Sequence, residues 1–172
     1  MKRFFFTLAI IAAAAISAIA QNKLTKEYKF GKITSIEASS VYDIEVTQGN
    51  SGTVKVVYDE FFKDRLMVNY INGKLNLEVA STKMRNNNRN IEGIKVYLQM
   101  PTIENLDLSG ASSLKAMGSF KTDELDVELS GASSISGLVI SGNGLSLDCS
   151  GASTLNLKGD FKTIEAEISG AS

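Results

Sequence analysis

The sequence predicts an all-β chain built largely as a right-handed parallel β-helix, and three observations predict it. Ser-Gly-Ala-Ser occurs four times, starting at Ser109, Ser130, Ser150 and Ser169, at offsets of 21, 20 and 19 residues. Each copy follows an apolar-acidic-apolar triplet: Leu106-Asp107-Leu108, Val127-Glu128-Leu129, Leu147-Asp148-Cys149 and Ala166-Glu167-Ile168. That is the two-residue period of a strand, not the period of a helix. The composition agrees, with one Pro, no Trp, no His and 14 Gly, the glycines gathering where tight turns need positive φ. A unit of about 20 residues cannot bury its apolar face alone, so neighbouring units are expected to stack and share a core.

The chain opens with Lys2 and Arg3, an apolar run over 4–16, and the small-residue pattern Ala18-Ile19-Ala20. This reads as an export signal over 1–20. The run is shorter than the roughly 20 apolar residues that span a bilayer. No cysteine near Ala20 offers a lipid attachment point. The expected mature chain, 21–172, is therefore one domain with no transmembrane segment, placed in the periplasm, on the cell surface or outside the cell. Cleavage would remove two of the 18 basic residues and none of the 19 acidic ones, leaving a mildly negative chain, which argues against nucleic acid as a partner.

Residues 26–100 carry no obvious repetition but read as short strands at 33–38, 41–47, 53–58, 67–71, 74–79 and 94–100. Asn72-Gly73 predicts a type I′ hairpin between two of them. Residues 60–66 suit one short helix, and 81–93, rich in Asn and basic residues, read as an exposed loop. Pro101 opens the repeat part, 101–172. There each Ser-Gly-Ala-Ser corner leads into a second strand, at 113–116, 134–140 and 154–157. A far corner recurs as Gly118-Ser119-Phe120-Lys121-Thr122 and Gly159-Asp160-Phe161-Lys162-Thr163, with Ser141-Gly142-Asn143-Gly144 in the middle unit. Two corners per period predict flattened coils, with Gly110, Gly131, Gly151 and Gly170 as structural turn residues. Ser172 falls inside the fourth corner, so the coil stack is expected to be truncated there, and to continue or to self-associate through its exposed terminal coil. Cys149 fills a place held elsewhere by Leu or Ile and reads as a small buried hydrophobe. A leucine-rich repeat competes through Ile103, Leu106 and Leu108, but Thr122 and Gly142 interrupt its apolar pattern.

The run Val41-Tyr42-Asp43-Ile44-Glu45-Val46-Thr47-Gln48-Gly49, the later Asn72-Gly73-Lys74-Leu75-Asn76-Leu77 and the Leu-x-Leu-Ser-Gly-Ala-Ser units resemble the bacterial auto-transporter adhesin head GIN domain family. That family is common in exported proteins of Bacteroidetes-like bacteria. The resemblance covers most of the mature chain and departs from the family in Ala-Ser for Ser-Gly. It implies an adhesin-like β-helical module of the cell envelope and supplies no catalytic residues.

The local candidate for chemistry is the acidic column Asp107, Glu128, Asp148 and Glu167, with Asp126 and Glu165 beside it. Alternation sends these carboxylates outward. Unit charges about 4.8 Å apart repel by roughly 1 kcal/mol in water, so the stripe calls for solvent, Lys side chains or calcium to offset it. The plainer reading is that it keeps an open sheet face soluble. No cofactor is expected apart from that calcium. Without His, no Ser-His-Asp or Cys-His pair exists, so the chain is expected not to be an enzyme. The expected function is adhesion or binding of a glycan or envelope component. A structural envelope protein without a dedicated ligand is the alternative, followed by a calcium-dependent polysaccharide lyase or hydrolase. Tyr42, Tyr58, Tyr70 and Tyr97 could stack on sugars, although each also fits a packing position.

Overall fold

A computed structural model describes residues 23–80 and 93–172. The expected signal over 1–20 and nearly all of the expected loop lie outside the described residues. Fourteen strands follow in chain order: β1 (Lys23–Lys29), β2 (Ser35–Ser40), β3 (Tyr42–Gln48), β4 (Thr53–Asp59), β5 (Leu66–Ile71), β6 (Lys74–Val79) and β7 (Ile94–Met100) in the first part. The repeat part holds β8 (Asn105–Gly110), β9 (Ser113–Met117), β10 (Ser119–Lys121), β11 (Glu124–Leu129), β12 (Ser134–Cys149), β13 (Thr154–Lys158) and β14 (Phe161–Ile168). β1 had no counterpart in the sequence reading. The expected helix is a three-residue 3₁₀ turn, Glu60–Phe62, capped by Asp59, whose Oδ1 accepts from the Phe61 N–H at 2.8 Å. Asn72 and Gly73, with φ of 50° and 88°, make the tight turn between β5 and β6.

The right-handed parallel β-helix expected from the repeats is overturned, and with it the description of the chain as a β-solenoid repeat protein. The strands form one mixed, curled sheet, a half-barrel whose main path runs β1-β4-β7-β3-β9-β12-β11-β8-β2-β6-β5 over 11 strands, with β10, β13 and β14 joined to β12. Both ends of the path are antiparallel, β1–β4–β7 at one and β6–β5 at the other. Two physical facts defeat the simple coil stack. The turn-like segment 141–144 does not break the chain into two strands: β12 bends through it as one 16-residue strand, with Thr122 N–H donating to Ser141 O and Gly142 N–H to Asp160 O. The stacking order is also not the sequence order, because β3 lies between β7 and β9 and β2 between β8 and β6. In a solenoid each unit touches only its sequence neighbours.

Within the sheet, alternation decides the core. Ile36, Ala38, Leu106, Leu108, Leu125, Val127 and Leu129 point inward from β2, β8 and β11, and Ile44, Val46, Val96, Leu98, Leu114 and Ala116 from β3, β7 and β9. Cys149 joins them, and burial pushes its thiol pKa up. At the corner, Ala132 N–H donates to Gly110 O at 2.7 Å and Ala152 N–H to Gly131 O at 2.8 Å, a rung per layer. The last serine of the first three motifs turns inward: Ser112, Ser133 and Ser153 are buried, and Ser112 Oγ accepts from the Tyr42 N–H at 3.4 Å.

Candidate functional site

The acidic column is assembled by strand register. Asp107 lies opposite Glu128, Glu128 opposite Asp148, and Asp148 opposite Glu167. Glu37 of β2 extends the row, opposite Asp107. The sequence signal for Glu37 was present, since Ile36-Glu37-Ala38-Ser39-Ser40 is a degenerate copy of the triplet and corner, and the Ala111 N–H donates to Ser40 O at 2.7 Å as the other corners do. Asp126 sits one row away and takes a 3.4 Å hydrogen bond from Asn105 Nδ2. Lys74 of β6 closes the stripe at one end through an ion pair with Glu37.

The charges act on one another. Burial and then the Glu37 carboxylate push the Asp107 pKa above the usual carboxylate value, with Lys74 pulling the other way. The Asp107 charge, then burial, then Asp126 and Asp148 do the same to Glu128. The Glu37 hydrogen bond raises the Lys74 pKa. Carboxylates raised in the folded state favour folding most when protonated, and that contribution is lost as pH rises through the raised values. The double variant Asp107→Asn, Glu128→Gln is therefore expected to melt higher than the parent at neutral pH, with the gap closing towards about pH 4, where carboxylates take up protons. A lower melting temperature at neutral pH would show that the charges are held by a counter-ion. Among the described residues no group of three or more His, Cys, Asp or Glu side chains could hold a metal ion: the carboxylates stand in a row, one per strand.

Gly110, Gly131, Gly151 and Gly170 occupy the corner beside this row, each with φ between 70° and 77°. They set the turn and present backbone only.

The other leg of the sheet has a different outer surface. From β7, Ile94, Val96, Leu98 and Met100 are buried, which turns Lys95, Tyr97 and Gln99 outward. Register places Glu27, Lys55, Tyr97, Glu45 and Lys115 in one row across β1, β4, β7, β3 and β9. Around Tyr97 lies an open groove of about 300 Å³, lined also by Glu45, Thr47, Lys55, Gln99 and Met117. It combines an aromatic face with donors and acceptors of both charges. Of the four tyrosines singled out from the sequence, Tyr42 and Tyr58 are buried and Tyr70 packs on Phe30 at 5.0 Å between ring centres, so Tyr97 is the one placed on this outer face.

A larger groove, about 840 Å³, follows the far corner past Glu104, Asp123, Glu124 and Asn143. Its polar groups already serve the bend: Thr102 Oγ1 donates to Lys121 O at 2.6 Å, Thr122 Oγ1 to Glu124 O at 2.8 Å, and the Asn143 N–H to Asp123 O at 2.9 Å. In the Tyr97 groove Thr47 Oγ1 donates to Leu98 O at 3.5 Å and Gln99 Oε1 accepts from the Ser51 N–H at 3.3 Å, while the Tyr97 ring adds the aromatic face that the larger groove lacks.

Three solved structures are similar to this chain in fold. A "putative lipid binding protein" from Parabacteroides distasonis ATCC 8503 has a TM-score of 0.66 at 20% identity, over 86% of this chain and 63% of that one. A "putative adhesin" from Bacteroides fragilis NCTC 9343 has a TM-score of 0.62 at 18% identity, over 88% and 78%. A second "putative adhesin" from Parabacteroides distasonis has a TM-score of 0.54 at 14% identity, over 86% and 70%. The chain thus spans less than two thirds of the length of the first of these. No curated protein matches it. The family model described as "Putative auto-transporter adhesin, head GIN domain" matches residues 32–172, which takes in every strand from β2 to β14, and the chain belongs to that family.

Proposed function

We propose that this protein is an exported surface module of the adhesion type, freed of residues 1–20, that binds glycan or another envelope component without cleaving it. The Tyr97 groove carries the reading. A sugar ring offers one face of C–H groups and a rim of hydroxyls, and Tyr97 with Glu45, Thr47, Lys55 and Gln99 supplies an aromatic surface and a polar rim to match. Family membership supports an adhesion-type role. Without His no Ser-His or Cys-His pair exists, Cys149 is buried, and a row of like carboxylates is not the single pair that glycoside hydrolysis uses.

The test is retention of the purified protein on an array of glycans and envelope polysaccharides, with and without calcium, scored for both binding and released product. Retention without cleavage is expected, and Tyr97→Ala is expected to weaken it about tenfold or more, the loss of a well-placed aromatic contact. Release of product would overturn the non-catalytic reading. Failure to bind any glycan while folded would overturn the glycan reading in favour of a structural envelope role.

A further inference from the structure

We infer that two copies of this chain pair edge to edge through β5, antiparallel about a two-fold axis at Asn69. β5 ends the sheet path inside the chain, with described residues before and after it, and among the described residues it pairs with β6 alone. The register shows which of its backbone groups face outward. Arg65 O accepts from the Ala80 N–H at 2.9 Å, so the ladder to β6 uses the groups of Met67, Asn69 and Ile71 and turns those of Leu66, Val68 and Tyr70 to the outer edge. Sheet edges are normally blunted by charge, Pro or a bulge. The strand at the other end of the path, β1, is guarded in this way: it carries Lys23, Lys26, Glu27 and Lys29, and Lys26 turns to the core side, over the Tyr28 ring. β5, Leu-Met-Val-Asn-Tyr-Ile, has no charge, no Pro and an unbroken register. Its outward Ile71 and Met67 are 69% and 39% exposed, and Leu66, Val68 and Tyr70 on its other face are half-buried.

The side chains around β5 select a second copy as its partner and fix the register. With Asn69 on the axis, Val68 of one copy exchanges backbone hydrogen bonds with Tyr70 of the other, and Met67 stands opposite Ile71, twice over. Across the outer face each row then runs Lys74, Ile71, Met67, Glu78 from β6 of one copy to β6 of the other, so it begins on a base and ends on an acid. The central row is Asn76, Asn69, Asn69, Asn76 and carries no charge. Lys74 is already ion-paired with Glu37 in its own copy, and Arg65 lies 4.1 Å over the Phe61 ring. Lys63, Asp64 and Arg65, just before β5, come beside the uncharged Asn72-Gly73 turn of the other copy, so no like charges are directly opposed. Moving the axis to Val68 would instead set Ile71 against Arg65 and leave the most exposed apolar side chain on a charged one. The pairing about Asn69 is self-complementary and stops at two copies.

Sedimentation of the purified protein from nanomolar to high micromolar concentration tests this, with circular dichroism as the check on folding. A dimer is expected. Ile71→Glu, at a side chain mostly exposed in the single copy, should weaken it about tenfold or more, because the new carboxylate meets Met67 with Glu78 behind it. Met67→Lys added to Ile71→Glu should restore it, since Lys then opposes Glu across the axis twice over. Val68→Pro removes an N–H that β6 does not use, so it should abolish the dimer and leave the fold. A monomer at every concentration, a dimer indifferent to Ile71→Glu, no recovery in the double variant, or open-ended growth beyond two copies would each overturn the inference.

Discussion

Gly131→Ala is expected to cost about 3 kcal/mol of stability, far more than the addition of one methyl group suggests. Gly131 has φ of 70°, a region where a Cβ costs roughly 1–2 kcal/mol by itself. The added Cβ would also stand 2.6 Å from the Gly110 carbonyl oxygen and 3.1 Å from its nitrogen, both backbone atoms that cannot rotate aside. That oxygen accepts the Ala132 N–H, and the Gly131 oxygen in turn accepts the Ala152 N–H, so any shift strains a rung on each side. Crowding of this kind adds roughly 1–3 kcal/mol. For a chain of this size the sum lowers the melting temperature by about 6–12 °C. Gly170→Ala meets a similar contact, 2.5 Å from Gly151 O, but its corner lies in the last described layer and has room to move away, so about half the loss is expected. Thermal melting of the two variants side by side checks the comparison. Equal effects would mean that the corner strain is local and not transmitted through the column.

The corners were legible because they repeat: the same four residues at nearly equal spacing report parallel register between β8, β11, β12 and β14, and the structure pairs Leu106 with Val127, Val127 with Leu147, and Leu147 with Ala166. What repetition does not encode is where other strands are inserted. β2 and β3 stack against β8 and β9 from 70 residues upstream, and their copy of the corner, Ser39-Ser40-Val41, has lost the glycine that marks it, leaving Ser40 at φ of 119°. Composition misled at Gly142-Asn143-Gly144, which has the residues of a turn yet stays hydrogen-bonded through the bend of β12, because a curling sheet and a loop both favour glycine. The Tyr97 groove was readable in part. The apolar positions Ile94, Val96, Leu98 and Met100 fix one face of β7 and so put Tyr97 on the other. Its neighbours come from β3 and β4, and no local pattern reports that pairing.

Leu106→Ala separates the covered middle of the sheet from its open end. Leu106 is fully buried on β8, with Ile36 of β2 on one side and Val127 of β11 on the other, both also fully buried. Strands held in register on both sides cannot close over the space, so the loss falls at the upper part of the range for Leu→Ala, about 4 kcal/mol. Leu157 on β13 is half-buried beside a cavity of about 310 Å³ and, among the described residues, β13 pairs with β12 alone, so Leu157→Ala is expected to cost about 1 kcal/mol, close to its partial transfer energy. Urea unfolding of the two variants distinguishes the two sites. A Leu157→Ala deficit as large as that of Leu106→Ala would mean that β13 is as tightly packed as β8.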